Sequence, residues 1–202
     1  MTTGKGAGDR RIAIIQGHPD PSGRRFGHAL ANAYAEGARK GGHQVRTIDV
    51  ARLDFPLLRT QENWTKGDPP EAIRTAQGTI AWADHILILY PLWLGSMPAL
   101  LKAFFEQVMR PGFGTSPVES GRTWKRLLGG RSARIVVTMG MPALFYRWYF
   151  RAHSLKSFER NILRFVGIAP IHATLIGMVE SGGKSAHAKW LEKLRALGRS
   201  GR

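Results

Sequence analysis

The chain has 202 residues and no cysteine, and that absence removes disulfides, thiolate metal sites and thiol nucleophiles together. Acidic residues are also scarce. Fourteen Asp and Glu stand against 30 Lys and Arg, a formal charge of +16, so polyanions, phosphorylated small molecules or anionic membranes are electrostatically favoured as partners. No apolar run approaches the roughly 20 residues that span a bilayer, and residues 1–10 lack an apolar signal core. Residues 1–10 are therefore expected to form a disordered lead, and the protein to be cytoplasmic. The histidines lack the paired spacing that ligation from one helix requires, so no metal site is expected. A Gly-x-Ser-x-Gly elbow is missing, which disfavours a serine hydrolase. Nucleic-acid modules are missing too, and the basic residues are interleaved with apolar ones, so nucleic acid is not an expected partner.

What is present is enough apolar sequence, 43% of the chain, for one core. Five short apolar segments (residues 11–16, 44–50, 85–90, 134–139 and 173–178) alternate with helical patterns at 25–40, 70–83, 96–109, 143–166 and 184–197. That alternation predicts an α/β fold, a parallel sheet with helices on both faces. Five strands suit a flavodoxin-like three-layer sandwich of order 2-1-3-4-5, in which the loops after the first and third strands lie side by side at the ligand-binding edge. One domain over residues 11–198 is expected, with a frayed tail at 199–202. The segments 53–69 and 111–130 read as lids or interface loops.

Three loops at that edge carry the chemistry. Residues 17–27 (GHPDPSGRRFG) join a buried strand to a helix start. A phosphate placed there would meet free N–H groups, a positive helix end, the hydroxyl of Ser22 and the charges of Arg24 and Arg25. The glycine spacing is neither the dinucleotide fingerprint nor the Walker pattern; a plain turn punctuated by Pro19 and Pro21 also accounts for it. After the third strand, Pro91, Leu92, Trp93 and Leu94 offer an apolar wall, a large ring and backbone groups for a planar molecule, although Trp93 could equally be a core residue. Ser96 is expected to cap the next helix, with Pro98 in its first turn. The third loop is 138–142 (TMGMP), where Gly140 permits close approach and Thr138 supplies a hydroxyl. Downstream lies a dense aromatic cluster with arginines interleaved, read as a helix packed on the sheet or on a partner; within it Tyr146 and His153 could supply protons.

Taken together, the loops resemble the NAD(P)H:quinone oxidoreductase family, flavodoxin-fold flavoproteins that include modulators of drug activity and potassium-efflux ancillary reductases. The resemblance rests on Gly17, His18 and Pro19 with Phe26, on residues 90–104 (YPLWLGSMPALLKAF), on 111–114 (PGFG) and on 162–167 (ILRFVG). It implies a homodimer that binds FAD or FMN, takes hydride from NAD(P)H and passes it to a quinone-like acceptor. Carried over, His18 and the amides through Phe26 would hold the flavin phosphate with Arg24 and Arg25. Pro91, Leu92, Trp93 and Leu94 would run along the flavin, and Thr138 and Gly140 would complete the ring site. Tyr146 would match the active-site tyrosine, His153 falls near the catalytic histidine but out of register, and Phe113 would cover a neighbouring subunit's pocket. The family usually has Ser and Asn flanking its first-loop phenylalanine, where this chain has Arg25 and Gly27. Its third loop usually reads Thr-Thr-Gly-Gly, where Met139 and Met141 stand here. An alternative is a non-catalytic subunit on the same fold that docks an anionic membrane or channel through residues 145–164, a peripheral contact.

Overall fold

A computed structural model describes residues 9–117 and 124–202; most of the expected lead, and residues 118–123 of the 111–130 insertion, lie outside the described residues. The strands β1 (Arg11–Gln16), β2 (Gln44–Asp49), β3 (His85–Pro91), β4 (Ser132–Thr138) and β5 (Ile171–Ile176) form one parallel sheet of order 2-1-3-4-5. Around it lie α1 (Phe26–Lys40), α2 (Gln61–Thr65), α3 (Glu71–Trp82), α4 (Ala99–Val108), α5 (Ala143–Trp148), α6 (His153–Ser157) and α7 (Gly183–Arg199).

β3 is central and pairs with both β1 and β4, so its side chains are covered on both faces from His85 to Tyr90. Alternation sends Ile12, Ile14, Leu87, Leu89 and Val136 to the face covered by Leu30 and Tyr34 of α1 and Leu194 of α7. The other parity, Ile15, Ile86, Ile88 and Val137, packs on Ile73 and Ile80 of α3 and Leu101, Phe104 and Phe105 of α4. Each such side chain, removed from water, contributes on the order of 1.5–3 kcal/mol. α1 and α7 approach until backbone meets backbone. A Cβ built on Gly37 would lie 2.0 Å from Arg195 O, and one on Gly198 would lie 2.1 Å from Tyr34 O.

Four expectations need correction. The helix at 143–166 is not continuous: Arg151 and Ala152 both take φ of +49°, and after α6 the chain widens into a π-turn at Phe158–Leu163. The break resolves a conflict, because aromatic residues at 145, 146, 148, 149 and 150 fan over more than half the circumference of one helix and cannot all reach the sheet. It buries Tyr146, Ala152, Leu155 and Phe158 and leaves Trp148 and Tyr149 exposed. Ser96 does not cap α4, which starts at Ala99 with Pro98 as its cap residue. The 53–69 segment is no lid. The buried guanidinium of Arg110 bonds Asn63 O and Gly67 O at 2.9 and 2.6 Å, and Gln107 bonds Pro56 O at 2.6 Å, fixing the segment to the end of α4. The tail is not frayed either, since Arg10 donates to Gly201 O at 3.0 Å and the Arg202 N–H to Leu197 O at 3.0 Å.

Candidate functional site

The three loops predicted from sequence converge on one cleft of about 530 Å³ at the carboxyl ends of the strands, joined there by Val179 and Glu180 from the loop after β5. His18, Arg25 and Phe26 line it, as do Pro91, Leu92 and Trp93, and Thr138 and Gly140. Ser22, Arg24 and Leu94 do not: Ser22 and Arg24 are exposed on the outer side of the first loop, and Leu94 is fully exposed at a turn tip.

Buried Gln16 staples the first loop, its Nε2 donating to Gly27 O at 3.1 Å and its Oε1 accepting the His18 N–H at 3.0 Å. His18 Nδ1 accepts the Asp20 N–H at 3.0 Å, which places the ring hydrogen of the neutral form on Nε2. Burial lowers the His18 pKa, with the charges of His28 and Arg25 adding to the effect against Asp20. The Asp20 carboxylate accepts the Ser22 N–H at 2.8 Å and pairs with Arg25 Nε at 2.5 Å, contacts that hold it well below the usual carboxylate range. α1 starts with no side-chain cap and no acid in its first turn. The first-turn N–H groups at Phe26 and Gly27 thus lie beside the cleft without a partner among the described residues, a ready anion site. His28, 93% buried, has neither ring nitrogen bonded among the described residues, and its ring centroid is 5.3 Å from that of His18. These orphaned donors fit a phosphate.

The second loop spends two of its backbone donors, at Leu92 and Trp93, on internal bonds. Leu92 N–H donates to Thr138 O at 2.7 Å, and Trp93 and Ser96 exchange two backbone bonds of 2.9 Å each. Leu94 and Gly95 between them take φ of +46° and +76°, a two-residue turn of the type I′ kind. What this loop presents to the cleft is surface: Leu92, and half-exposed Trp93 with its ring edge-on to His18 at 6.0 Å. Behind Trp93 an adjoining groove of about 520 Å³ runs between this turn and Ser154 and Phe158. On the third loop Met139 N–H bonds Ile176 O at 2.9 Å, while Gly140 is exposed and its N–H has no partner among the described residues.

Tyr146 and His153 do not join them. Tyr146 is 1% exposed and its hydroxyl bonds Ser154 Oγ at 2.8 Å, locking the break between α5 and α6. His153 is exposed at the start of α6, outside the cleft. Phe113 is half-buried and packs on the chain's own core. The cleft therefore offers an anion-binding end at α1 and a flat, apolar end at Leu92, Trp93 and Gly140, the two needs of a phosphorylated planar molecule.

A sequence profile for the flavodoxin-like fold matches residues 10–199. The chain belongs to the flavodoxin-like fold family. Among flavodoxin-like relatives, an uncharacterized NAD(P)H oxidoreductase of Haemophilus influenzae is 31% identical over 168 residues, which cover 81% of this chain and 82% of that one. An FMN-dependent NADH:quinone oxidoreductase of Nitratidesulfovibrio vulgaris is 28% identical over 184 residues, covering 81% and 83%. In three dimensions the chain is similar to an NAD(P)H:quinone oxidoreductase from Methanothermobacter marburgensis, with a TM-score of 0.77 at 25% identity over 95% of this chain and 98% of that one. Sequence reasoning missed Asp20, Val179 and Glu180 in this flavodoxin-like site. Asp20 lies between Pro19 and Pro21, whose turn signal masks its ion pair with Arg25. The other two follow β5, whose carboxyl end meets the same edge, so the switch-point rule applied to one more strand would have found them.

Proposed function

We propose that the protein is a flavin-dependent NAD(P)H oxidoreductase that passes two electrons, as hydride, to a quinone-like acceptor. The observation that carries the reading is the convergence in one cleft of an uncapped helix start, His18 and Arg25 at one end with the Leu92, Trp93 and Gly140 surface at the other. The names of the similar proteins support the same chemistry, and FMN is the favoured flavin because the Nitratidesulfovibrio relative is named for it. Bound in the cleft, a flavin would supply two-electron transfer between a nicotinamide and a quinone, which side chains do not supply.

The chain's own residues do the remainder. The Phe26 and Gly27 N–H groups and the His18 Nε2–H hold the phosphate, and Arg25 exchanges Asp20 for it or bridges the two. Leu92 and Trp93 exclude water from one side of the ring and fix its plane, while Gly140 admits the ring edge and offers an N–H. Tyr146 acts on this site by position, because its bond to Ser154 sets one wall of the groove behind Trp93. We assign it to positioning rather than proton transfer, and we propose no role in the cleft for His153, Ser22 or Arg24.

A second copy of the chain completes the assembly in this reading. Leu144, Phe145, Trp148, Tyr149 and Phe150 are 41–78% exposed and adjoin one another, Phe145 and Tyr149 stacking at 4.9 Å. An apolar patch of this kind marks an interface. Sedimentation of the purified protein should give a dimer that Trp148→Glu dissociates; a monomeric wild type that binds acidic vesicles would instead favour a membrane contact. No helix among the described residues is long and apolar enough to cross a membrane, and a cytoplasmic location fits the lack of cysteine. The function itself is tested by anaerobic absorption spectroscopy. Flavin bands bleached by one equivalent of NADH or NADPH, and restored by one equivalent of a soluble quinone, are expected. A protein that binds flavin but is not reduced by either nicotinamide would overturn the reading.

A further inference from the structure

At the other end of the sheet, where the strands begin, a separate cavity of about 850 Å³ is bordered by Arg10, His85, Ser132, Arg134, His172 and Arg202. Strand parity puts His85, Ser132, Arg134 and His172 on the α1 and α7 face, in adjacent rows: His85 pairs with Ser132, and Arg134 with His172. The acid at this rim is Asp84, already held by Arg11 through bonds of 2.8 and 3.2 Å, together with exposed Asp9.

Three buried polar atoms here have no hydrogen-bond partner among the described residues. His85 is 2% exposed; its Nδ1 meets Ser132 Oγ at 2.8 Å, but its Nε2 bonds nothing. Arg134 gives one terminal nitrogen to Thr174 Oγ1 at 2.9 Å, yet its Nε is buried and unbonded, and no carboxylate pairs with it among the described residues. The hydroxyl of Tyr34, 0% exposed and within electrostatic reach of Arg134 and Arg10, is also unpartnered. Buried donors and a half-buried unpaired guanidinium are costly to leave unmet, and native structures meet them with a partner, a water or an ion. Part of the positive charge has a structural use at the end of α7, where Arg10 donates to Gly201 O and His43 Nε2 meets Arg199 O at 3.2 Å. That use leaves Arg134, His85 and Tyr34 unexplained.

We infer that this cavity is a second anion site, remote from the cleft, which takes a phosphate group through the Arg134 and Arg10 guanidiniums and the Nε2–H of His85. In the bound state the Ser132 hydroxyl would donate to His85 Nδ1, 2.8 Å away, which puts the ring hydrogen on Nε2 as a donor to the anion. A cation is disfavoured here, because burial and the charges of Arg10 and Arg134 hold even His85 unprotonated, with its pKa down to about 3. A tetrahedral oxyanion has several acceptors for guanidinium forks, which a halide lacks. The phosphate group can come from free phosphate or from a mononucleotide.

The test is NMR of the full-length protein with ¹⁵N-labelled histidine, titrated at constant ionic strength with inorganic phosphate in one arm and AMP in the other. A saturable shift of the His85 ring nitrogens is expected, together with a rise in Tm. A lower Kd for AMP identifies a nucleotide as the source, and equal or weaker binding of AMP identifies free phosphate. Arg134→Met should weaken binding at least tenfold while melting no lower than wild type in phosphate-free buffer, because it removes an unpaired buried charge. Should that variant not fold, Arg202→Gln at the exposed rim supplies a graded loss. Arg25→Gln, in the cleft, should leave the His85 shift unchanged, which separates the two sites. No saturable shift, a shift of equal affinity in Arg134→Met, or loss of the shift in Arg25→Gln would overturn the inference.

Discussion

Tyr146 and His85 are buried groups whose behaviour follows from a few hydrogen bonds: the Tyr146 hydroxyl meets Ser154 Oγ and accepts the Leu155 N–H at 3.4 Å, and His85 Nδ1 meets Ser132 Oγ. The Tyr146 hydroxyl is spent on Ser154, so Tyr146→Phe should cost about 1 kcal/mol of stability and leave the hydride-transfer rate within a few-fold. Rapid-mixing kinetics checks this, and a hundredfold slower transfer with unchanged flavin affinity would put the hydroxyl in the chemistry. His85 lies among Arg10, Arg134, His172 and His43, and burial with their charge lowers its pKa from 6.5 to about 3. Between those values an unfolded chain binds a proton that the folded chain refuses, so folding stability rises with pH across that window and is lost as pH falls through it. Denaturant titrations in phosphate-free buffer at pH 4, 5 and 7 should show this slope in the wild type and a flatter one in His85→Gln.

At the scale of elements, the contact between α1 and α7 is decided by glycines. A methyl on Gly37 would meet the Arg195 carbonyl at 2.0 Å, which only helix displacement can relieve. Gly37→Ala should therefore cost about 1–3 kcal/mol. Gly78 on α3 has nothing within 4 Å of a Cβ, and Gly78→Ala should gain about 0.5–1 kcal/mol. Urea midpoints of the two variants should move in opposite directions. The strands were legible because β1 and β3 are short apolar runs bounded by turn residues, and β1 matches its predicted bounds of Arg11–Gln16. The break before α6 was not legible: neither Arg151 nor Ala152 signals a left-handed backbone, and only tertiary competition among the surrounding rings for the core explains it. The absence of a Ser96 cap has a similar cause. Ser96 closes the turn around Leu94 and Gly95 through its backbone and is not free to start a helix.

Across the whole molecule, the strand order and the edge that carries the cleft followed from alternation and the switch-point rule. Which residues reach the cleft followed less well. Position in a loop does not say that Ser22 and Arg24 turn outward, or that Leu94 stands at a turn tip. The net charge of +16 is likewise silent on where positive charge is unpaired; the structure puts Arg25 against Asp20 and leaves Arg134 without a carboxylate among the described residues. In the proposed function the start of α1 holds the phosphate of a flavin whose ring lies along Leu92 and Trp93. Calorimetric titration of the flavin-free protein with FMN and with riboflavin, which share the ring and differ in the phosphate, tests it most directly. Even two of the charge-assisted bonds proposed for that phosphate, at about 1.5–3 kcal/mol each, predict FMN binding at least a hundredfold tighter than riboflavin, with about tenfold or more of that preference lost in His18→Ala. Equal affinities for the two, or no binding of either, would rule out a flavin phosphate at the start of α1.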